Sequence, residues 1–374
     1  MHPPALSRLQ AVLQDHIDRR ILPGAVALIE HRGQRVLHAA LGAQGPAPDA
    51  PPMARDSLFR IYSMTKPVVS LAILMLMEQG RLQLAHPVSR YLPAFAGQQV
   101  FTPQGLVPVQ RDATVHDLLR HTAGLGYAWD EGPVAQQYRA ARIGSRRHSN
   151  RQQAEALGPL PLMRQPGSGW EYSRATDVLG AILEVVEGGT LGAVLERLIL
   201  GPLGMGETGF WVPGPRHHRI AEAFAKDPET GAAVLLNDVR QPPVFESGGG
   251  GLVSTAADYA RFLQMMLGGG SLDGQRLVSR TAVEFMTADH LGSIPLADAI
   301  MAPGYGFGLG VAVRREAGLG TRPGSAGQYS WSGMAGTVFF VDPAEDLFAI
   351  LLTQAPGQLI HLIELFPALV YAAL

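Results

Sequence analysis

Strand-like runs lie at both ends of this chain and helical punctuation fills the stretch between them, so one sheet has to be assembled from distant parts of the sequence. Near the start, GAVALIE, HRGQ and RVLHAALG (Gly24 to Gly42) read as a hairpin, two apolar runs around a glycine-containing turn. Near the end, YGFGLGVAVRR (Tyr305 to Arg315), GTVFFV (Gly336 to Val341) and LFAILLT (Leu347 to Thr353) are three more strand candidates. The last two are joined by the turn sequence DPAED. Helices bracket these strands. Leu9, Val12, Leu13 and Ile17 share one helical face behind Ser7, the expected N-cap, and Gln358 to Leu374 has helical spacing. In the middle, Thr114 with Asp117 and Thr255 with Asp258 are spaced as capping boxes, while Gly80, Gly124 and Gly188 stand where helices should stop. The expected fold class is therefore α+β: an antiparallel β-sheet flanked by helices, with a mostly helical second region. Residues 1–84 and 213–374 would form the sheet domain and 85–212 the helical one, with the Pro-rich Ala43 to Pro52 as a loop.

Composition removes several function classes. With 30 basic and 32 acidic side chains among 374 residues and no basic run, nothing marks a nucleic-acid surface. An apolar fraction of 47% excludes a disordered chain, and the absence of cysteine excludes disulfides, thiolate metal sites and thiol catalysis. The N-terminus lacks the apolar core of a secretory signal, and Val68 to Met77 and Leu359 to Leu374 are too short or interrupted for a membrane span. A cytoplasmic location is the expectation; oligomeric state is not written in the pattern. The paired His217 and His218 lack a third ligand at metal spacing, so a solvated loop is expected and neither a metal nor another cofactor.

Lysine usage carries the sharpest chemical signal. Only Lys66 and Lys226 supply positive charge that arginine does not. Arginine cannot be deprotonated in a protein, whereas a desolvated lysine can act as a base. Lys66 follows Ser63 by three residues in IYSMTKPVVSLAILMLMEQG, and a helix starting near Ser63 would stack hydroxyl and amine on one face. A serine hydroxyl needs such a base to become a nucleophile, and a helix start aims the Ser63 amide at a developing oxyanion. No G-x-S-x-G occurs, so the other common serine-hydrolase arrangement has no candidate.

The segment resembles the S-x-x-K signature of the serine β-lactamase and penicillin-binding protein superfamily. FRIYSMTKP, RLQLAHPVSRYLP, LLRHTAGLGY, PLGMGETGF, GGGGLVSTAADYARF and YGFGLGV are collinear with class C β-lactamases and most similar to family VIII carboxylesterases. The resemblance implies a serine β-lactamase-like fold with the active site between sheet and helical regions. It implies Ser63 as nucleophile, Lys66 as base and Tyr172 of Tyr172-Ser173-Arg174 as the proton relay, with Arg174 where lactamases carry Asn. It also implies that Trp331-Ser332-Gly333, on an edge strand, replaces Lys-Thr-Gly. Gly333 would then admit substrate, the Met334 amide would join that of Ser63 as oxyanion donor, and Trp331 would favour neutral esters. A small-molecule ester is thus the expected substrate. An acyltransferase, an amide, peptide or β-lactam hydrolase, and a non-catalytic penicillin-binding-type protein use the same residues. Tyr127 and Trp129 are pocket candidates, His121 is expected to hold a turn, and Gly248 to Gly251 to form a tight turn. The alternation Gly304, Gly306, Gly308, Gly310 reads as the glycine face of one strand.

Overall fold

The computed structural model describes residues 1–296 and 300–374. Seven strands form its main sheet: β1 (Gly24–His31), β2 (Gln34–Gly42), β3 (Tyr305–Phe307), β4 (Ala312–Arg314), β5 (Tyr329–Gly333), β6 (Thr337–Asp342) and β7 (Leu347–Thr353). They lie in the order β2-β1-β7-β6-β5-β4-β3, every neighbouring pair antiparallel. The first hairpin turns through Arg32 (φ 54°) and Gly33 (φ 70°), two left-handed residues whose twist matches that of the flanking strands. Both chain ends meet where β1 pairs with β7 from Ala25↔Thr353 to His31↔Leu347.

The longer helices are α1 (Pro3–Asp18), α2 (Thr65–Glu78), α3 (Ala175–Glu187), α4 (Ala256–Leu267) and α5 (Leu359–Tyr371). Side chains alternate across a strand, and here both faces are apolar. Ala25, Ala27, Val338, Phe340, Ala349 and Leu351 pack against α1 and α5, while Val26, Leu28, Phe339, Val341, Ile350 and Leu352 pack into the core shared with α2 and α4. Both faces of the sheet are covered, and its strands read as nearly continuous apolar runs for that reason. Among the described residues no single helix is long and apolar enough to cross a membrane.

Several local expectations are corrected. The helix α1 begins at Pro3, with Ser7 inside it, because proline suits a first turn. Tyr305 to Arg315 is two strands, β3 and β4, paired through Ala312↔Phe307 around a turn at Gly310 (φ 92°). Of the four glycines only Gly306 lies within a strand; Gly308 and Gly310 form the reversal, so the four do not line one strand. Gly124 does not stop a helix; Val115–Leu119 ends before His121, which itself adopts φ 57°. Thr114 and Asp117 close a full capping box, whereas the Asp258 side chain turns to the Glu207 amide and the Thr208 hydroxyl. The middle segment also holds a small hairpin, Gln99–Thr102 with Gly105–Pro108, among its helices.

Candidate active site

Ser63 sits in a single turn, Tyr62–Met64, that feeds directly into α2. Tyr62 holds φ 42°, a strained value for a side chain of that size. The surroundings enforce it: the Tyr62 hydroxyl accepts from the Asn237 amide at 3.1 Å, the Tyr259 hydroxyl donates to the Met64 carbonyl at 2.9 Å, and Thr65 Oγ1 accepts from the Leu252 amide at 3.1 Å. The turn thus presents Ser63 on a rigid base.

One helical turn on, Lys66 is fully buried. Its Nζ reaches three acceptors: Ser63 Oγ at 3.2 Å, the Tyr127 hydroxyl at 3.2 Å and the Gly249 carbonyl at 2.7 Å. Tyr172, just before α3, donates to Ser63 Oγ at 2.7 Å and accepts from Trp331 Nε1 at 3.3 Å. Lys66 Nζ also stands 4.5 Å from the centre of the Tyr172 ring, a cation–π distance. Ser63, Lys66, Tyr172, Tyr127 and Trp331 therefore converge. Burial pushes the Tyr127 phenol well above its ordinary range, so it stays protonated beside the amine.

The remaining sequence candidates divide. Met334 shares with Ser63 and Tyr127 a cavity of about 250 Å³, also lined by Tyr62, Arg174 and Phe245. Gly333 is needed, but for the protein's own backbone: a Cβ there would lie 2.2 Å from the Ile61 carbonyl oxygen and 2.4 Å from Thr337 Oγ1. Ser332, on the same face of β5 as Ser330, lines with it a second cavity of about 250 Å³ beside α5, because the two-residue period of the strand turns it away from Gly333. In sheet order β5 is an inner strand, yet β4 pairs only with Tyr329 and Ser330, so Trp331 to Gly333 keep one free edge. The guanidinium of Arg174 bonds to Asp177 at 3.0 Å and stacks 5.5 Å from the centre of the Tyr127 ring. Trp129 stacks on the other part of that wall, 3.8 Å from Tyr127, and is 65% exposed.

One participant escaped the sequence reading, and the glycine run was read only as a turn. Asp177 accepts from the Ser247 hydroxyl at 2.6 Å and from the Gly249 amide at 2.9 Å, and so fixes the carbonyl that holds Lys66. In the sequence it passes for the first-turn acid of α3. The glycine run is what lets that loop approach, since a Cβ on Gly248 would sit 2.6 Å from the Thr176 carbonyl oxygen. Four consecutive glycines were the available signal; their partner was not.

The beta-lactamase family model matches residues 9–361. An uncharacterized protein of Mycobacterium tuberculosis (strain CDC 1551 / Oshkosh) is 35% identical, over 92% of this chain and 89% of its own. Esterase EstB of Burkholderia gladioli is 33% identical, over 93% and 90%. The solved structure of EstCE1, described as a hydrolase with promiscuous acyltransferase activity, matches with a TM-score of 0.82 at 27% identity and covers 99% of this chain and 98% of its own. A match that runs through both the sheet and the helices around Ser63 leaves one assignment: the chain belongs to the beta-lactamase family and is a serine hydrolase.

Proposed function

We propose that the chain hydrolyses carboxylic esters through an acyl-enzyme on Ser63. The observation that carries this reading is the position of the Ser63 hydroxyl, 3.2 Å from Lys66 Nζ and 2.7 Å from the Tyr172 hydroxyl. A neutral amine offers two N–H groups and one lone pair, and the Gly249 carbonyl and Tyr127 oxygen take the two N–H groups. The lone pair is left for the Ser63 proton. As that proton moves to Lys66, Ser63 Oγ forms a bond to the ester carbonyl carbon, and the carbonyl oxygen takes the negative charge. The amides of Ser63 and Met334 stabilise it. The bond to the alcohol oxygen then breaks, Tyr172 gives that oxygen a proton, and Lys66 returns one to Tyr172. A water molecule repeats the sequence in reverse to release the acid.

The name of EstB supports the ester as substrate class, and Trp331 supports it chemically. An indole stands where the resemblance places a lactamase cation, and its N–H is spent on Tyr172. Arg174 is likewise committed to Asp177. A second reading, transfer of the acyl group to an alcohol, is favoured by the description of EstCE1. The test is hydrolysis of a short-chain p-nitrophenyl ester and of a chromogenic cephalosporin by wild type and Ser63→Ala, with and without an added alcohol. The ester should turn over, Ser63→Ala should abolish both turnover and covalent labelling, and the cephalosporin should react slowly. Dominant cephalosporin turnover would overturn the ester assignment, and ester product exceeding free acid at low alcohol concentration would favour transfer.

A further inference from the structure

His121 is fully buried, takes no part in the chemistry proposed above, and bridges the chain on both sides of Tyr172. Its own carbonyl accepts from the Glu171 amide at 2.9 Å. Its Nδ1 accepts from the Ser173 amide at 3.2 Å and lies 3.1 Å from the Ser173 hydroxyl. The two residues that flank Tyr172 are therefore tied to one residue, and the imidazole packs 5.1 Å from the Tyr172 ring, centre to centre. Phe307 meets the same imidazole edge-on at 5.4 Å, which leaves it little room to turn. A backbone N–H can only donate, so Nδ1 is unprotonated and the proton is on Nε2. That Nε2–H has no hydrogen-bond partner among the described residues. His121 also adopts φ 57°. An imidazole kept with an unsatisfied N–H on a strained backbone is costly, and the feature that accounts for both is the pair of bonds around Tyr172.

We infer that His121 is a positioning residue for Tyr172: by binding the main chain at Glu171 and Ser173 it holds the Tyr172 hydroxyl against Ser63. The inference rests on the role proposed for Tyr172, and displacement of a reacting group by about 1 Å can lower turnover on the order of 100-fold.

Asparagine and glutamine separate this role from mere packing. His121→Asn keeps an acceptor oxygen near the position of Nδ1 and tolerates φ 57°; His121→Gln moves its amide out to the position of Nε2 and leaves the Ser173 amide without a partner. His121→Asn should retain kcat within roughly threefold, and His121→Gln should lose roughly 10- to 100-fold in kcat with little change in KM. In a Tyr172→Phe background the glutamine change should cost less than about twofold, because residues that act through one group are non-additive. If His121→Gln, folded by its melting transition and labelled at Ser63, keeps wild-type kcat, the inference is overturned. It is equally overturned if the loss is the same with and without the Tyr172 hydroxyl. Should the glutamine variant not fold, His121→Ser in both backgrounds carries the same comparison. Failure of the underlying reading looks different: Tyr172→Phe alone would then keep its rate, where a relay should cost roughly 10²- to 10⁴-fold.

Discussion

Lys66 is the side chain on which the proposed chemistry turns. It is fully buried with three oxygens around Nζ, and only a compact amine can turn two N–H groups and a lone pair toward them from one atom. Lys66→Arg puts a permanent positive charge there, spread over a plane that cannot fit the same space and cannot accept the Ser63 proton. Ester turnover should fall nearly as far as in Ser63→Ala, by about three orders of magnitude or more, as the base role proposed for Lys66 requires. An arginine variant that retained most activity would remove Lys66 from the base role. Asp177 acts one step further out. Its carboxylate orders the Gly249 carbonyl, and so the sequence-distant glycine loop becomes part of the lysine's environment.

At the scale of elements, the site depends on how closely β5 runs past the turn that carries Ser63. Gly333 makes that approach possible, and a methyl group there would press on the Ile61 carbonyl two residues before Ser63. Gly333→Ala should destabilise the protein by roughly 1–3 kcal/mol through overpacking. It should also lower kcat more than KM, because the displaced strand carries Trp331 and the Met334 amide. Thermal melting together with ester kinetics checks this; an unchanged kcat would mean that the turn and the strand move as one unit. The contact between α3 and the glycine loop works by the same principle. Gly180 and Gly248 bring the helix and the glycine loop together, and only small residues permit backbone-to-backbone packing there.

For the molecule as a whole, burial of titratable groups sets the pH range of stability. His31, His38, His86, His116, His121 and His290 all lie below the ordinary histidine value of 6.5, with burial the largest cause in each and His116 lowered to about 4. The unfolded chain binds protons at these positions near pH 6.5 and the folded chain does not, so their effect is absent above 6.5 and destabilises as pH falls. Glu184, which burial raises to about 7, and Asp258, which burial also raises, act in the opposite sense, since the folded chain holds their protons first. Asp117, Asp227 and Asp238, held below the ordinary carboxylate value, act with the histidines as pH falls toward 4, and the unfolded chain is expected to be the net proton binder. The melting temperature should therefore fall steadily between pH 6.5 and 4.5, and Glu184→Gln should steepen that fall. A melting temperature that rose over this range would show that the histidines are hydrated and free to charge.

Local geometry was legible in the sequence wherever the physics is local. Ser63 and Lys66 share a face because three residues make nearly one turn of helix, and a lysine-poor composition makes the pair visible. The hairpin of β1 and β2 and the apolar runs of β6 and β7 follow from alternation and turn residues, so both chain ends could be assigned to one sheet. Tyr172, Met334 and Trp331 could be named in advance only by resemblance to a family. Their convergence on Ser63 is decided by packing between segments that have no common period. Tertiary structure alone also decided that Ser332 lines a separate cavity, that Asp177 and Gly249 support the lysine, and that His121 ties down both neighbours of Tyr172. In each case the partner lies far away in sequence, and which atoms meet depends on strand register and backbone approach.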